Sequence, residues 1–218
     1  MHQLCYEIME RFCKTHLAEL EGRPLKVLDI GSQDVNGTFK PLFNKTGWNY
    51  VGLDIEAGPN VDLIPQEPYY WDEIASGSYD VVISGQAYEH TEFFWLTQLE
   101  ISRVLKVGGY CCVISPSSGF EHRYPVDCYR FYRDGMAALG KYAGMEIMEA
   151  STLFDTGGEY ADGSHFWKDS ALMARKAKLR FSDRMLLIAY RWIAKQLWNK
   201  RRTAPPLPSE DLHLEKAR

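Results

Sequence analysis

The 218-residue sequence lacks the features typical of secreted, membrane-spanning or metal-binding proteins. Its five cysteines are an odd number without metal-ligand spacing, and Cys111 and Cys112 are neighbours in an apolar run whose side chains alternate between the two faces of a strand. The first twenty residues show helical spacing in place of a secretion signal. The apolar stretch at 185–190 is far shorter than the about 20 residues that cross a bilayer. We therefore expect reduced core thiols, a cytoplasmic protein and no metal site.

Charge is distributed unevenly along the chain. Residues 176–202 hold nine Lys or Arg and one acid, a net charge of +8, and the overall charge of −4 leaves −12 for the rest of the chain. A body this acidic would repel a phosphate backbone, so we expect no nucleic-acid partner.

The remaining pattern is that of one α/β domain. Helical spacing is found at 2–20 and 93–105, between short apolar runs. These runs predict seven strands, at 26–30, 50–54, 61–64, 79–84, 109–115, 145–150 and 170–175. The alternation favours a mostly parallel sheet with helices on both faces. Only six residues separate the run at 50–54 from the run at 61–64, too few for a crossover helix between parallel strands. Either a single turn makes this connection, or the run at 61–64 is not a proper strand.

The C-terminal part has a different character. We expect the domain to span 1–178, a basic amphipathic helix to span 179–203, and a proline-rich, charged and mobile tail to span 204–218. The apolar stripe of the helix would pack on the body of the protein or on a second subunit, or would contact an anionic membrane. A homodimer and a peripheral contact at the inner membrane surface both remain open.

One short segment, KVLDIGSQDV at 26–35, carries most of the functional signal. An apolar run ends in Asp29 and a glycine turn begins at Gly31, which is how a buried strand leads into a cofactor-binding turn. A second run, YVGLD, ends in Asp54, an acid placed to accept hydrogen bonds from a ribose diol. A nicotinamide cofactor would use the same acid, but the second and third glycines of its GxGxxG fingerprint are absent.

Four motifs in order, VLDIG, YVGLD, YDVVISGQAYEH and VLKVGGYCCVIS, resemble the class I S-adenosylmethionine-dependent methyltransferases of the type 11 pattern, over roughly residues 25–150. The resemblance implies a Rossmann-like seven-stranded sheet with an antiparallel last strand, and S-adenosylmethionine as the cofactor, with S-adenosylhomocysteine as its product. It also implies three groups of cofactor-binding residues: Asp29, Gly31, Ser32 and Gln33 at the methionine end, Asp54 and Ile55 at the ribose and adenine, and Ser84, Gly85 and Gln86 near the sulfonium. The loop itself, DIGSQDVNG, departs from the family's DxGxGxG.

The acceptor side is less regular. Methyl transfer to oxygen needs a base, and His90, after the fourth predicted strand, and His122, in an irregular loop, are the catalytic candidates. Four neighbouring side chains would bind a polar acceptor: Arg123, Tyr124, Asp127 and Arg130. These residues could instead hold the loop together through Asp–Arg pairs. His165 could belong to a lid, although a lone loop histidine more often faces solvent.

Similarity to small methyltransferases of sugar and polysaccharide pathways favours O-methylation of a sugar or polysaccharide-precursor hydroxyl. N-methylation of a small amine stays open, as does a non-catalytic protein that binds S-adenosylmethionine and acts as a partner or scaffold.

Overall fold

A computed structural model describes residues 2–153 and 160–201, without the side chain of Arg201. The predicted tail, 204–218, lies outside the described residues. Six strands form one sheet: β1 (Leu25–Ile30), β2 (Trp48–Leu53), β3 (Tyr79–Gly85), β4 (Leu105–Ser115), β5 (Met145–Thr152) and β6 (Ser170–Lys176). Five α-helices accompany them: α1 (Gln3–Phe12), α2 (Lys40–Phe43), α3 (Phe94–Val104), α4 (Arg133–Tyr142) and α5 (Phe181–Arg201).

The sheet has the strand order β2-β1-β3-β4-β6-β5. The pairs β2–β1, β1–β3 and β3–β4 are parallel, whereas β6 is antiparallel to both of its neighbours. The parallel strands all end on one edge, and the chain leaves β1 and β3 in opposite directions from the centre of the sheet. Open α/β sheets bind their ligands at such a switch point.

The prediction of seven strands is wrong for the part of the chain that the structure describes. The run at 61–64 makes only an isolated bridge, from Leu63 to Leu53, and Asp62 and Leu63 donate their amides to the carbonyl of Gly52. The preceding connection is too short to hold a crossover helix, so the chain passes the end of β2 without adding a strand to the sheet.

Side chains alternate across the sheet and form two cores. Leu28, Val82 and Cys111 belong to the core beneath α3 and α4, whereas Val27 and Cys112 belong to the core beneath α1. The predicted alternation of the two adjacent cysteines is therefore confirmed, and all five cysteines are free. Because β4 begins at Leu105 and not at 109, α3 runs directly into it, and a register shift between Tyr79 and Val81 absorbs the extra residues.

The predicted N-terminal helix at 2–20 has three parts. The α-helix α1 continues into a π-helical turn, Cys13–Leu17, and a 3-10 turn, Ala18–Leu20. At the other end of the chain, α5 begins at Phe181. No helix among residues 2–153 and 160–201 combines the length and apolar character needed to cross a bilayer.

Candidate active site

A cavity of about 580 Å³ opens at the carboxyl ends of β1, β2 and β3. One wall holds the turn after β1, and the opposite wall holds residues from the β3 end and from the loop after β4. Most of the predicted residues line it: Asp29, Gly31, Ser32, Gln33, Asp54, Ile55, Gly85, Gln86, His90, His122, Arg123 and Tyr124. Ser84, Asp127 and Arg130 are not among the lining residues.

Asp29 ends β1 as a buried acid with an open hydrogen-bonding position. Its Oδ2 accepts a short hydrogen bond from the Tyr50 hydroxyl, whereas its Oδ1 is buried without a partner. Burial raises the pKa of Asp29 to about 7, against the opposing effect of the Tyr50 bond. An ammonium group, such as the one at the methionine end of S-adenosylmethionine, would supply both the missing donor and a compensating charge.

The turn after Asp29 requires glycine at one position. Gly31 has φ +73°, and a Cβ there would lie 2.5 Å from the Cβ of Ala87. Any larger residue would therefore be strained and would also collide with Ala87, in the loop that follows β3. The amide of Gly31 donates to Leu53, at the end of β2, with a donor–acceptor distance of 2.9 Å.

In the turn after β1, hydrogen bonds from side chains fix the segment in which the class I methyltransferase pattern has further glycines. The hydroxyl of Ser32 donates to the carbonyl of Asn60 at 3.1 Å, and the side-chain amide of Asn60 donates to the carbonyl of Ser32 and to the Tyr50 hydroxyl, each at 3.0 Å. We call Ser32, Tyr50 and Asn60 the loop latch. The latch replaces glycine flexibility by a fixed set of hydrogen bonds, which accounts for the unusual loop sequence.

Asp54 lies directly after β2. Its Oδ2 accepts from the Gln33 amide at 3.0 Å and its Oδ1 accepts from the Ile55 amide at 2.7 Å. Each carboxylate oxygen keeps a second lone pair for a hydroxyl donor, as a ribose diol would need. The Ile55 side chain is 54% exposed, and it offers an apolar surface beside this acid.

The end of β3 fits its predicted role only in part. Ser84 is fully buried and its hydroxyl donates to the carbonyl of Ile30 at 2.9 Å, so the expected contact with a cofactor finds no support in this geometry. Gly85 approaches Phe39 so closely that a Cβ would lie 2.5 Å from the ring. Gln86, at φ +57°, donates to Asp169 Oδ1 at 3.0 Å.

Two predicted catalytic histidines meet beside a buried acid that the sequence analysis did not select. The rings of His90 and His122 are in edge-to-face contact, 4.8 Å between centroids. Glu89 is fully buried; its Oε2 accepts from the Ser115 hydroxyl, and its Oε1 is unpartnered, 3.8 Å from His90 Nε2. Burial raises the pKa of Glu89 to about 7.

The tautomer of His90 follows from its partner. His90 Nδ1 lies 2.6 Å from the carbonyl of Val126, and a carbonyl only accepts, so Nδ1 carries the proton. This leaves the lone pair on Nε2, the nitrogen next to Glu89. Burial lowers the pKa of His90, which keeps the ring neutral at pH 7. A neutral imidazole with a free Nε2 is the form that accepts a proton.

A metal ion is a second use for the same cluster. One ligand atom each from Glu89, His90 and His122 lie within 4.8 Å of one another, a set that could hold a cation. Two imidazoles and a carboxylate suit a transition metal.

The loop that carries His122 is partly held by its own ion pairs. Asp127 accepts from the amide of His122 at 2.7 Å and binds the Arg130 guanidinium through both oxygens. Hydrogen bonding from Arg130 lowers the pKa of Asp127 to about 2. Asp127 and Arg130 therefore shape the loop, as in the alternative reading of the sequence, whereas Arg123 and Tyr124 face the cavity.

Sequence reasoning missed several side chains of this wall. Trp167 contacts the His122 ring at 4.7 Å between centroids and also lines the cavity. Tyr69 and Trp71 line it from the irregular segment between β2 and β3. Asp169 is buried, with its pKa raised to about 6. Glu89 is adjacent in sequence to a predicted catalytic histidine, but its hydrogen-bond donor, Ser115, lies 26 positions away. His165, the lid candidate, is not among the lining residues.

Comparisons with known proteins agree with this site. A family model described as a methyltransferase domain matches residues 28–113. A search of the curated proteins gave no match. Among solved structures, the CurJ carbon methyltransferase superposes with a TM-score of 0.61 at 14% identity, over 81% of this chain and 55% of that one. The chain thus spans little more than half the length of this relative.

Two further structures show the range of this fold. A Burkholderia thailandensis 1,6-didemethyltoxoflavin-N1-methyltransferase, solved with 1,6-didemethyltoxoflavin and S-adenosylhomocysteine bound, has a TM-score of 0.58 at 16% identity, over 80% of this chain and 79% of that one. The SpnF 4+2 cyclase has a TM-score of 0.58 at 14% identity, over 79% and 81%. At these identities the likeness shows the fold alone.

The family match begins within β1 and ends within β4, so it includes Asp29, Gly31 and Asp54. Over residues 28–113 the chain matches a methyltransferase domain, and its fold resembles that of S-adenosylmethionine-dependent methyltransferases.

Proposed function

We propose that the enzyme methylates a hydroxyl of a sugar or polysaccharide precursor, with His90 as the base. One observation carries the proposal: the free Nε2 of a neutral histidine lines the same cavity as the cofactor-binding acids. S-adenosylmethionine, when bound, supplies an electrophilic methyl carbon. A sugar hydroxyl keeps its proton at neutral pH, so an acceptor of this kind needs a base where a free amine does not.

The residues around His90 support proton removal. As His90 takes a proton, the carboxylate form of Glu89 stabilises the imidazolium, because its Oε1 lies 3.8 Å from Nε2 and has no other partner. His122 lies against the His90 ring and restricts its orientation. The cluster is proposed to work without a metal ion.

The residues that line the cavity from the loop after β4 suit a polar acceptor. Arg123 and Tyr124 line the cavity and lie on the loop that Asp127 and Arg130 stabilise. A guanidinium binds phosphate or carboxylate groups, and a tyrosine ring packs against a sugar or a base. The bound small molecule of the Burkholderia thailandensis relative shows that an enzyme of this fold accepts a small acceptor; by analogy we propose one here.

The test is a methyl-transfer assay with a tritiated methyl donor and a panel of nucleotide sugars, monosaccharides and small amines. We expect transfer to a sugar hydroxyl, and we expect His90→Ala to lower kcat by roughly 100- to 10,000-fold with little change in S-adenosylhomocysteine affinity. His165→Ala, a histidine outside the cavity lining, serves as the matched control.

Two results would contradict the proposal. Methylation of amines alone, with His90→Ala fully active, would favour the N-methyltransferase alternative. Loss of turnover after chelation, restored by Zn²⁺ or Mn²⁺, would assign Glu89, His90 and His122 to a metal ion and remove His90 as the base.

We propose further that the protein is cytoplasmic and that its C-terminal helix, predicted at 179–203, contacts either a second copy of the chain or the inner membrane surface. The charge of this segment and its exposed apolar residues support a contact.

A further inference from the structure

Helix α5 packs on the body through a mixed side, on which Leu187, Ala194 and Trp198 pack against the core and two basic residues form ion pairs. Arg191 forms ion pairs with Glu100 and, at 2.8 Å, with Asp72, and Lys195 also pairs with Asp72. Trp198 completes this side: its ring meets Tyr69 at 4.9 Å between centroids and its Nε1 donates to Glu67. Helices that pack only on their own protein usually turn their charged side outward.

The outer side of α5 is mostly apolar. Eight large apolar residues of the helix are between 46% and 78% exposed: Phe181, Met185, Leu186, Ile188, Tyr190, Trp192, Ile193 and Leu197. We call this set the outer stripe. The set extends along all 21 residues of the helix, and soluble proteins seldom expose so many large apolar side chains in one region without a binding partner.

The ion pairs determine which side of the helix faces out. Glu100 is fully buried, and its carboxylate is held by Arg103 and Arg191. Rotating α5 to bury the outer stripe would remove Arg191 from a buried charge, which is costly. The exposed position of the stripe is therefore stabilised by the packing of the helix itself.

We propose that the outer stripe binds the surface of an anionic phospholipid bilayer. Basic residues stand near both ends of the helix: Lys178, Arg180 and Arg184 at the start and Lys200 at the end, with Asp183 as the one acid in 176–202. Apolar side chains flanked by cations are the composition of interfacial helices, and Trp192, which is 63% exposed, suits the headgroup region.

A second copy of the stripe is a poorer partner. If two copies buried the stripe along its whole length, the two helices would run nearly parallel or nearly antiparallel. Either arrangement brings basic ends together, because both ends are basic. The rest of the chain, with a net charge of −12, is repelled by an anionic surface, so binding would also orient the protein with α5 toward the lipid.

The stripe lies close to the proposed site. Trp198, on the inner side of α5, contacts Tyr69, and Tyr69 lines the cavity. Lipid binding would hold the cavity near the membrane and so near an acceptor carried on a lipid. This step rests on the proposed function, whereas the membrane contact does not.

Co-sedimentation of the full chain with phosphatidylcholine vesicles, with and without 30% phosphatidylglycerol, tests the proposal. We expect binding to anionic vesicles only, and we expect the double variant Leu186→Ser with Ile193→Ser to lower the partition coefficient at least about tenfold. The matched control is Val107→Ser with Met148→Ser, two residues exposed elsewhere. Thermal melting and S-adenosylhomocysteine binding check that both variants fold.

A second measurement follows Trp192 directly. Subtracting the fluorescence emission spectrum of Trp192→Phe from that of the wild type gives the emission of Trp192. Its maximum should shift to shorter wavelength on addition of anionic vesicles. Equal sedimentation of the two double variants, absence of wild-type binding, or equal binding to neutral vesicles would overturn the proposal. So would a wild-type dimer that Leu186→Ser with Ile193→Ser dissociates in the absence of lipid binding, because it would assign the stripe to a second copy. A failed methylation assay leaves all of these outcomes unchanged.

Discussion

The two walls of the cavity are built in different ways. The cofactor wall consists of strand ends and the turns that follow them, with Asp29, Gly31 and Asp54 all within 26 residues. The acceptor wall joins residues far apart in sequence: Glu89 reaches Ser115, and His122 packs on Trp167. The comparison indicates that the first wall depends on local backbone geometry, whereas the second depends on how the loop after β4 folds over β3.

The largest effect should come from removing the acid that ends β2. Asp54→Ala should weaken S-adenosylhomocysteine binding by at least about 100-fold, because two hydrogen bonds to a charged acceptor are worth roughly 3 kcal/mol or more. Isothermal titration calorimetry measures the change. Asp80→Ala removes an acid at the other end of the sheet, where it pairs with Lys106, and serves as the control. Equal affinity of the two variants would mean that the cofactor does not contact the β2 end.

On the acceptor wall, Glu89→Gln should keep the bond to Ser115 but remove the charge beside His90. We expect kcat to fall roughly 10- to 100-fold while S-adenosylhomocysteine affinity stays constant. Because the pKa of Glu89 is about 7, we expect the wild-type rate to rise through pH 7 as this acid loses its proton, and we expect no such rise in the variant. Asp134→Asn, on an exposed acid of α4, is the control. If Glu89→Gln kept the wild-type kcat and pH–rate profile, the charge of Glu89 would have no role in turnover.

The smallest effect should be a pH dependence on the cofactor wall. Because the pKa of Asp29 is about 7, lowering the pH from 8 to 6 protonates this acid and removes its attraction for an ammonium group. S-adenosylhomocysteine affinity should therefore fall about tenfold over this range. In Asp29→Asn the affinity should be low at both pH values. A wild-type affinity that is independent of pH would place the ammonium away from Asp29.

The same contrast explains what the sequence could predict. The motif order predicted the α/β sheet and most of the cofactor wall, because a strand followed by an acid and a glycine has few possible geometries. The cofactor contact predicted for Ser84 stays a prediction: this residue lies one position before the strand end, and its hydroxyl donates to the carbonyl of Ile30. The strand predicted at 61–64 was wrong, because an apolar run does not show whether a neighbouring strand has a free edge with which to pair.

The acceptor wall could be predicted only by residue type. His90 and His122 were selected because histidines accept protons, and the structure brings them together. Glu89 and Trp167 could not be found in this way, because their roles come from burial and from contacts across the fold. The orientation of α5 was also beyond the sequence. Amphipathic spacing shows that a helix has two sides, but the ion pairs of Arg191 and Lys195 and the packing of Leu187 and Trp198 on the core decide which side faces inward.

The loop latch has a consequence for ligand binding at the turn after β1. A glycine-rich loop samples many backbone conformations and loses that freedom when a ligand binds. Here Ser32, Tyr50 and Asn60 fix the loop through hydrogen bonds that form when the chain folds. The conformational entropy of this segment is therefore lost during folding and not during binding, so the cofactor wall is preorganised for its ligand.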